Sequence, residues 1–367
     1  MKLEGKLFLQ GSFTDGSVEF SERIDKIRTG IVPQGKYSDC YIIPGLIDIH
    51  THGAMGEDAS DGNADGMQVL SRYYAAQGVT SWLPTTMTLK EQELIRAVHV
   101  IRDFRRPDDG AKAAGIHMEG PFLSYAKRGA QAPENLHAPD IGMFQRINEE
   151  SGGMVRIITI APEEPGAMEF IQKVSGKTVV SLGHTTADYD TARKAYETGA
   201  AHATHLYNAM PPFQHREPGV IGAAGDCGAT AELICDGLHI HPSVIRSTWR
   251  MFRERLVLVS DSLCCAGMPE GEYMLSGHPI TVRGGKATLT GTDTLAGSSI
   301  HLMDAVRNCV RYGLPLEAAV YAATEAPAKA ARLDGEIGSI ACGKYADFVV
   351  LDSSLQIRAV YIDGIKI

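Results

Sequence analysis

Eight short apolar runs, each closed by turn residues and most followed by a segment of helical spacing, constrain this chain more than any other feature. The runs are Gly45 to His52, Val79 to Thr86, Gly115 to Glu119, Val155 to Ala161, Thr178 to His184, Ala201 to Leu206, Ala231 to Asp236 and Leu256 to Asp261. Helical patterns lie between them, for example Ala64 to Gln77, Lys90 to Phe104, Asp188 to Glu197 and Pro242 to Arg253. Strands that alternate with helices pair in parallel, and eight such units predict a closed (β/α)8 TIM-type barrel rather than an open sheet. A barrel of this kind takes ~250 residues, and the chain has 367. The surplus falls at the ends, where Leu3 to Ile43 and Gly338 to Ile367 alternate apolar and polar residues with glycine turns. These segments predict one small β-sandwich domain built from both termini. The expected division is residues 1–44 with 338–367 as that discontinuous domain and 45–337 as the barrel. A hairpin over Tyr273 to Leu289 interrupts the last part of the barrel, and helices over Ser299 to Tyr312 and Pro315 to Leu333 complete its outer ring.

Barrels of this type carry their chemistry at the C-terminal ends of the strands. In this chain those ends hold metal-ligating residue types: His50 and His52 on the first strand, Glu119 on the third, His184 on the fifth, His205 on the sixth and Asp261 on the eighth. His50 and His52 are two positions apart, so a strand presents both on one face. The constellation predicts a metal site at the barrel mouth. Histidine and carboxylate donors without thiolate suit Zn2+, Fe2+, Mn2+ or Co2+. Such a cation with open positions makes hydroxide available at neutral pH, which points to hydrolysis. Asp261 beside that water is the expected general base and acid. Parity assigns the other histidines: His202, three positions before His205, is expected to be packed or helix-facing, and His117 to be a hydrogen-bonded core residue below Glu119. His239 is closer to the mouth than His241, which sits beside Pro242 at a helix start and is expected to be structural.

A formal net charge of -9 without any Lys/Arg block excludes a nucleic-acid surface, and a phosphate-bearing substrate would need a few placed groups to hold it. No run reaches the ~18 apolar residues of a membrane span. The seven cysteines are scattered without C-x-x-C spacing, and Met1 to Lys6 opens no signal-like apolar run, so a cytoplasmic protein with reduced thiols is expected. Adjacent Cys264 and Cys265 are expected to be small core residues.

The longer motifs resemble the amidohydrolase superfamily and, within it, the N-acetylglucosamine-6-phosphate deacetylases. They are Pro44-Gly45-Leu46-Ile47-Asp48-Ile49-His50-Thr51-His52-Gly53, His117-Met118-Glu119-Gly120-Pro121-Phe122, Gly183-His184-Thr185, Thr204-His205-Leu206-Tyr207-Asn208-Ala209-Met210, Arg216-Glu217-Pro218-Gly219, Asp236-Gly237-Leu238-His239, Val259-Ser260-Asp261 and Leu295-Ala296-Gly297-Ser298. The resemblance implies hydrolysis of the acetamide of an amino-sugar 6-phosphate, with Glu119, His184 and His205 on a main metal. It also implies His50 and His52 on a second metal, bridged by Glu119, so one or two divalent cations per subunit. Asp261 would be the acid/base. Asn208, Ala209 and His239 would meet the substrate phosphate, together with Arg216 reaching in from a neighbouring subunit, which implies a homodimer. Ala130 and Gln131 would also border the substrate. The chain departs from the family at Gln131, twelve residues after Glu119, where a histidine is frequent. A glutamine hydrogen-bonds but supplies no cation. Two enzymatic alternatives stand beside this reading: the galactosamine epimer of the same substrate, and a cyclic amidase or deaminase of the same superfamily. A barrel that only binds is the non-enzymatic one.

Overall fold

A computed structural model describes residues 1–367. Its barrel strands are β1 (Leu46–Thr51), β2 (Val79–Thr86), β3 (Ile116–Glu119), β4 (Val155–Ile160), β5 (Val179–Leu182), β6 (His202–Ala203), β7 (Thr230–Ile234) and β8 (Leu256–Val259), which pair in parallel in chain order. Runs such as Leu256-Val257-Leu258-Val259 are buried throughout, as strands covered on both faces must be. The seam between β8 and β1 is joined at the mouth, where the amide of Asp261 donates to the His50 carbonyl at 2.9 Å. Below it the Asp48 carboxylate accepts the amides of His50 and Ser260 at 3.4 and 3.3 Å, replacing part of a backbone ladder.

The helices between the strands start where the sequence supplies caps. Side chains of Asn63, Asp140 and Asp188 accept the first free amides of the helices Ala64–Ala76, Ile141–Glu150 and Tyr189–Thr198. These helices pack on the strands through a cluster of 66 buried apolar residues. The interior one layer below the mouth is polar instead. His117 Nε2 meets Thr159 Oγ1 at 2.8 Å, Thr159 meets Thr204 at 2.7 Å, and Thr204 meets Ser181 at 2.6 Å.

The terminal segments Lys2–Leu9, Ser12–Phe20, Ile24–Thr29, Tyr41–Pro44, Phe348–Leu351, Ile357–Ile362 and Ile365–Lys366 form one seven-stranded sheet. Phe20 and Phe348 lie three strands apart in that sheet, ~14 Å in a flat one, yet their rings are 5.0 Å apart. The sheet therefore curls over itself and gives a sandwich-like β unit from a single sheet.

Three local expectations are corrected. The segment Gly271–Leu275, His278–Arg283 and Lys286–Leu289 is a three-stranded antiparallel sheet, one strand more than a hairpin. The helix expected over Pro315 to Leu333 is two helices, Leu316–Ala323 and Glu325–Ala330, broken at Thr324. Pro327 explains the break, because it lacks an amide and its ring clashes with the carbonyl four residues back in a continuous helix. The sixth strand is only two residues long rather than Ala201 to Leu206, because the chain turns inward at His205 with φ 29°.

Candidate metal centre and active-site cavity

His184, His205 and Asp261 each lie two residues beyond the end of a barrel strand and all have left-handed backbone, with φ of 47°, 29° and 48°. Non-glycine residues adopt this conformation at a cost that the surrounding fold must meet, and such positions cluster at active sites. Here the turn swings each side chain over the barrel axis. Gly183 permits it at His184, since a Cβ there would lie 2.8 Å from Thr204 Cβ and 2.9 Å from Thr159 Cγ2.

The six residues expected at the mouth converge. Glu119, His184 and His205 place ligand atoms within 4.8 Å of one another, and so do His50, His52 and Asp261. Glu119 joins the two groups: its Oε1 is 3.1 Å from His184 Nε2, 2.9 Å from His205 Nε2 and 3.4 Å from His50 Nε2, and its Oε2 is 3.3 Å from His52 Nε2. Asp261 Oδ1 stands 3.5 Å from Nε2 of both His50 and His52.

Hydrogen bonds on the far side of three rings fix which nitrogen faces this cluster. His184 Nδ1 donates to the Lys127 carbonyl at 2.8 Å, His52 Nδ1 to the Thr85 carbonyl at 3.2 Å, and His50 Nδ1 to the Glu232 carboxylate at 2.8 Å. Each neutral ring therefore aims an Nε2 lone pair inward. His184 Nε2 is 3.0 Å from His205 Nε2, and His50 Nε2 is 3.4 Å from His52 Nε2. Acceptors this close in a dry site repel one another unless cations lie between them. The donor set thus fits divalent cations, in one group or in both.

The same field acts on the titrating groups. Burial opposes charge on His50, yet the carboxylates of Glu232, Glu119 and Asp261 lift the imidazole to about 9. Burial likewise pushes the Glu119 carboxyl up, but whenever the His50, His184 and His205 rings carry a second proton, their positive charge and the Nε2 contacts of His184 and His205 hold it well below the usual carboxylate range. Asp261 is held low in the same way by His50 and His52 against the effect of burial. His117, buried and beside His50, falls to about 3 and stays neutral. It donates Nδ1–H to the Ile49 carbonyl at 2.9 Å, the core position expected of it.

His52, Glu119, His184, His205 and Asp261 form the floor of a cavity of about 560 Å³, with His50 buried behind them, and Lys127, Arg128, Ala130, Gln131, Asn208, Ala209 and His239 also line it. A model described as the amidohydrolase family matches residues 41–366. N-acetylglucosamine-6-phosphate deacetylase of Bacillus subtilis (strain 168) is 36% identical over 87% of this chain and 83% of its own length. The chain belongs to the amidohydrolase family, among these deacetylases. N-acetylgalactosamine-6-phosphate deacetylase of Escherichia coli O157:H7 is also 36% identical, over 88% of this chain and 86% of its own. A substituted N-acetyl-D-glucosamine-6-phosphate deacetylase from Mycobacterium smegmatis, solved in complex with N-acetyl-D-glucosamine-6-phosphate, superposes with a TM-score of 0.93 at 34% identity. It covers 100% of this chain and 98% of that one.

Around the floor of this amidohydrolase, the remaining sequence-selected residues take distinct places. His239 Nδ1 pairs with Asp236 Oδ2 at 2.7 Å, which leaves its Nε2 for the cavity. Asn208 Nδ2 donates to the His205 carbonyl at 3.1 Å, and Ala209 accepts the Thr185 amide at 3.0 Å. Gln131 lines the cavity, but its amide is engaged at both ends: Nε2 donates to Glu119 Oε2 at 2.5 Å and Oε1 accepts the Thr88 amide at 2.7 Å. Arg216 is exposed and lies outside this cavity, in a separate groove of about 320 Å³ with Asp188, Asp190 and Glu217. His241 caps the helix Pro242–Phe252 by accepting the Ser243 amide, a structural role as expected. Cys264 and Cys265 are buried in an apolar cluster with Leu275 and Ile280.

Sequence reasoning missed Glu232, and of its two expectations for His202, packed or helix-facing, only the first holds. His202 points into the barrel, where its Nε2 meets Glu232 Oε1 at 3.0 Å, and is not helix-facing. Parity counted from His205 fails because His205 has already left the strand. The one available signal for Glu232 was a lone carboxylate in the otherwise apolar run Ala231-Glu232-Leu233-Ile234. Lys127 and Arg128 at the cavity wall were also not singled out, although they put two cations there in a chain of net charge -9.

Proposed function

We propose that this chain hydrolyses the acetamide of N-acetyl-D-glucosamine 6-phosphate to D-glucosamine 6-phosphate and acetate. The observation that carries the reading is the convergence of Glu119, His184, His205, His50, His52 and Asp261 into one cluster, all but His50 lining a single cavity, in a chain of this family. Glu119, His184 and His205 hold the main divalent cation, and His50 and His52 a second, with Zn2+ the first choice among Zn2+, Fe2+, Mn2+ and Co2+. When bound, a cation there acidifies water into a nucleophile at neutral pH and polarises the amide carbonyl.

The protein's own groups carry the protons. Asp261, ionised and buried beside the ligand cluster, takes a proton from the water oxygen as that oxygen adds to the carbonyl carbon. It returns the proton to the amide nitrogen as the carbon–nitrogen bond breaks, and the second water proton passes from the acid product to the amine, so acetate and an ammonium leave. Gln131 steadies Glu119 through its amide and, with Ala130, borders the acetamide. His239, oriented by Asp236, meets the 6-phosphate with the backbone at Asn208 and Ala209, and Lys127 and Arg128 offset the overall negative charge.

We propose a homodimer in which Arg216, exposed and outside its own chain's cavity, reaches the partner's phosphate site. Reduced, scattered thiols support a cytoplasmic protein. No helix is long and apolar enough to cross a membrane. We propose the same division into a barrel over 45–337 and a terminal β domain over 1–44 and 338–367; the separate apolar cluster of Leu7, Phe20, Ile42 and Phe348 supports it.

A second reading, the galactosamine epimer, stands beside it because relatives named for the two substrates are each 36% identical to this chain. Acetate release from both sugar phosphates, with metal content measured on the same sample, tests both. In a metal-loaded sample, absence of acetate from N-acetyl-D-glucosamine 6-phosphate would overturn the first reading, and absence from both substrates would overturn the two together.

A further inference from the structure

Glu232 is fully buried in strand β7, one layer below the metal-type residues, and nothing in the proposed reaction uses it. A buried carboxylate is costly unless its lone pairs are filled, and here three donors fill them. Oε2 accepts His50 Nδ1–H at 2.8 Å and the backbone amide of His205 at 3.0 Å, while Oε1 takes His202 Nε2 at 3.0 Å. His202 is anchored in turn, with Nδ1 2.6 Å from Thr230 Oγ1. One oxygen thus holds a ring from the His50/His52/Asp261 group and the strained backbone of a residue from the Glu119/His184/His205 group.

We infer that Glu232 is a positioning residue that commits His50 to metal ligation and thereby makes the His50/His52 group a second metal site in this chain. The logic is tautomeric. His50 carries one proton when neutral; a carboxylate 2.8 Å from Nδ1 keeps that proton on Nδ1, so Nε2 remains a lone pair facing His52, Glu119 and Asp261. A carboxamide at position 232 has one accepting oxygen for three donors. Its NH2 group either donates to His50 Nδ1, which moves the ring proton to Nε2 and blocks ligation, or faces His202, in which case a neutral amide oxygen replaces the carboxylate behind His50, holds the Nδ1 proton less firmly and lowers the basicity of Nε2. His50, His117 and Glu232 also lie close enough to resemble a ligand set themselves. Every facing atom in that set is already hydrogen-bonded, His117 to the Ile49 carbonyl and to Thr159, so it is a support and not a third site.

This inference rests on the metal-dependent reading of the site. The experiment strips the holoenzyme with a chelator and titrates wild type, Glu232→Gln and His50→Ala with Co2+, following bound metal by absorption and by elemental analysis; His50→Ala marks which equivalent belongs to the pair. We expect two equivalents in wild type. In Glu232→Gln we expect the affinity of the His50-dependent equivalent to fall ~10- to 100-fold, with the other unchanged within about threefold. Two-bond 15N–1H spectra of the metal-loaded wild type, which need no variant, should show His50 with its proton on Nδ1. A single equivalent in wild type, a Glu232→Gln variant with both affinities unchanged or both lowered together, or His50 protonated on Nε2 would each overturn the inference. Wild type that takes up no metal would overturn the proposed function as well, which separates the two failures.

Discussion

Replacing Asp261 by asparagine tests the assignment on which the proposed chemistry depends. The change keeps shape and a hydrogen-bonding oxygen but removes the one basic group that Asp261 offers beside the ligand cluster. Proton transfer by a placed side chain contributes ~10²- to 10⁴-fold, or ~2.7 to 5.4 kcal/mol of barrier at 1.36 kcal/mol per tenfold. The structure places the loss toward the upper part of that range, because no neighbour can substitute. Both oxygens of Glu119 are taken, by His184 and His205 on one side and Gln131 on the other. His239 is committed to Asp236, and the only other carboxylate lining the cavity, Asp293, is exposed on a loop. Steady-state acetate release should therefore show kcat reduced by ~10³-fold, with KM changed little and the Glu119/His184/His205 metal retained by elemental analysis. Turnover within about tenfold of wild type, below the range of general acid–base effects, would refute the role of Asp261. Loss of all metal with loss of activity would make it a ligand only.

Other perturbations separate stability from chemistry. Lys112 Nζ reaches Asp347 and Asp363 at 2.7 Å each, between the barrel and the terminal sheet, and Asp347 is only 5% exposed. Lys112→Met leaves that carboxylate buried without its cation, so urea unfolding should show a loss of ~3 kcal/mol or more, largely restored by adding Asp347→Asn. Burial, then the neighbouring Asp58 and Glu57, raise the Asp61 carboxyl to about 6. In the unfolded chain it titrates near ~3.9, so its charge disfavours the native state above pH 6 and this penalty vanishes as pH falls below the unfolded value. Asp61→Asn should therefore raise the melting temperature at pH 8 and leave it unchanged at pH 3.5; because the residue is exposed, screening keeps the gain under ~1 kcal/mol. If Arg216 serves the partner's site, Arg216→Ala and Asp261→Asn chains, each poorly active, should complement when unfolded together and refolded. Half of the dimers are then mixed with one intact site each, so the mixture should recover about a quarter of wild-type activity; no recovery would place Arg216 elsewhere.

Much of this protein was legible in its sequence for a local reason. A strand shows itself within a few residues by its apolar run, and the residue that ends the run is fixed by covalent order. Eight runs then dictate a barrel, and a barrel dictates that His50, His52, Glu119, His184, His205 and Asp261 share a mouth. The failures lie where neighbours in space are remote in sequence or where the backbone leaves its regular path. The parity argument at His202 assumed a straight sixth strand, and the left-handed turn at His205 cancels it. Non-glycine residues carry no local code for positive φ. Gln131 shows a related limit: its sequence position placed it at the cavity, but only packing decided that its amide turns to Glu119 and Thr88.

The sequence by itself determined the architecture and the identity of the side chains at the strand ends. Tertiary structure alone decided how those side chains meet. Glu232 and His50 are 182 positions apart, and their 2.8 Å contact exists only because a closed barrel brings its first and seventh strands across one interior. That contact, with those of His52 and His184 to backbone carbonyls, sets which ring nitrogen faces the cavity. Residue type makes a histidine able to bind a metal; the partner behind the ring decides whether it does.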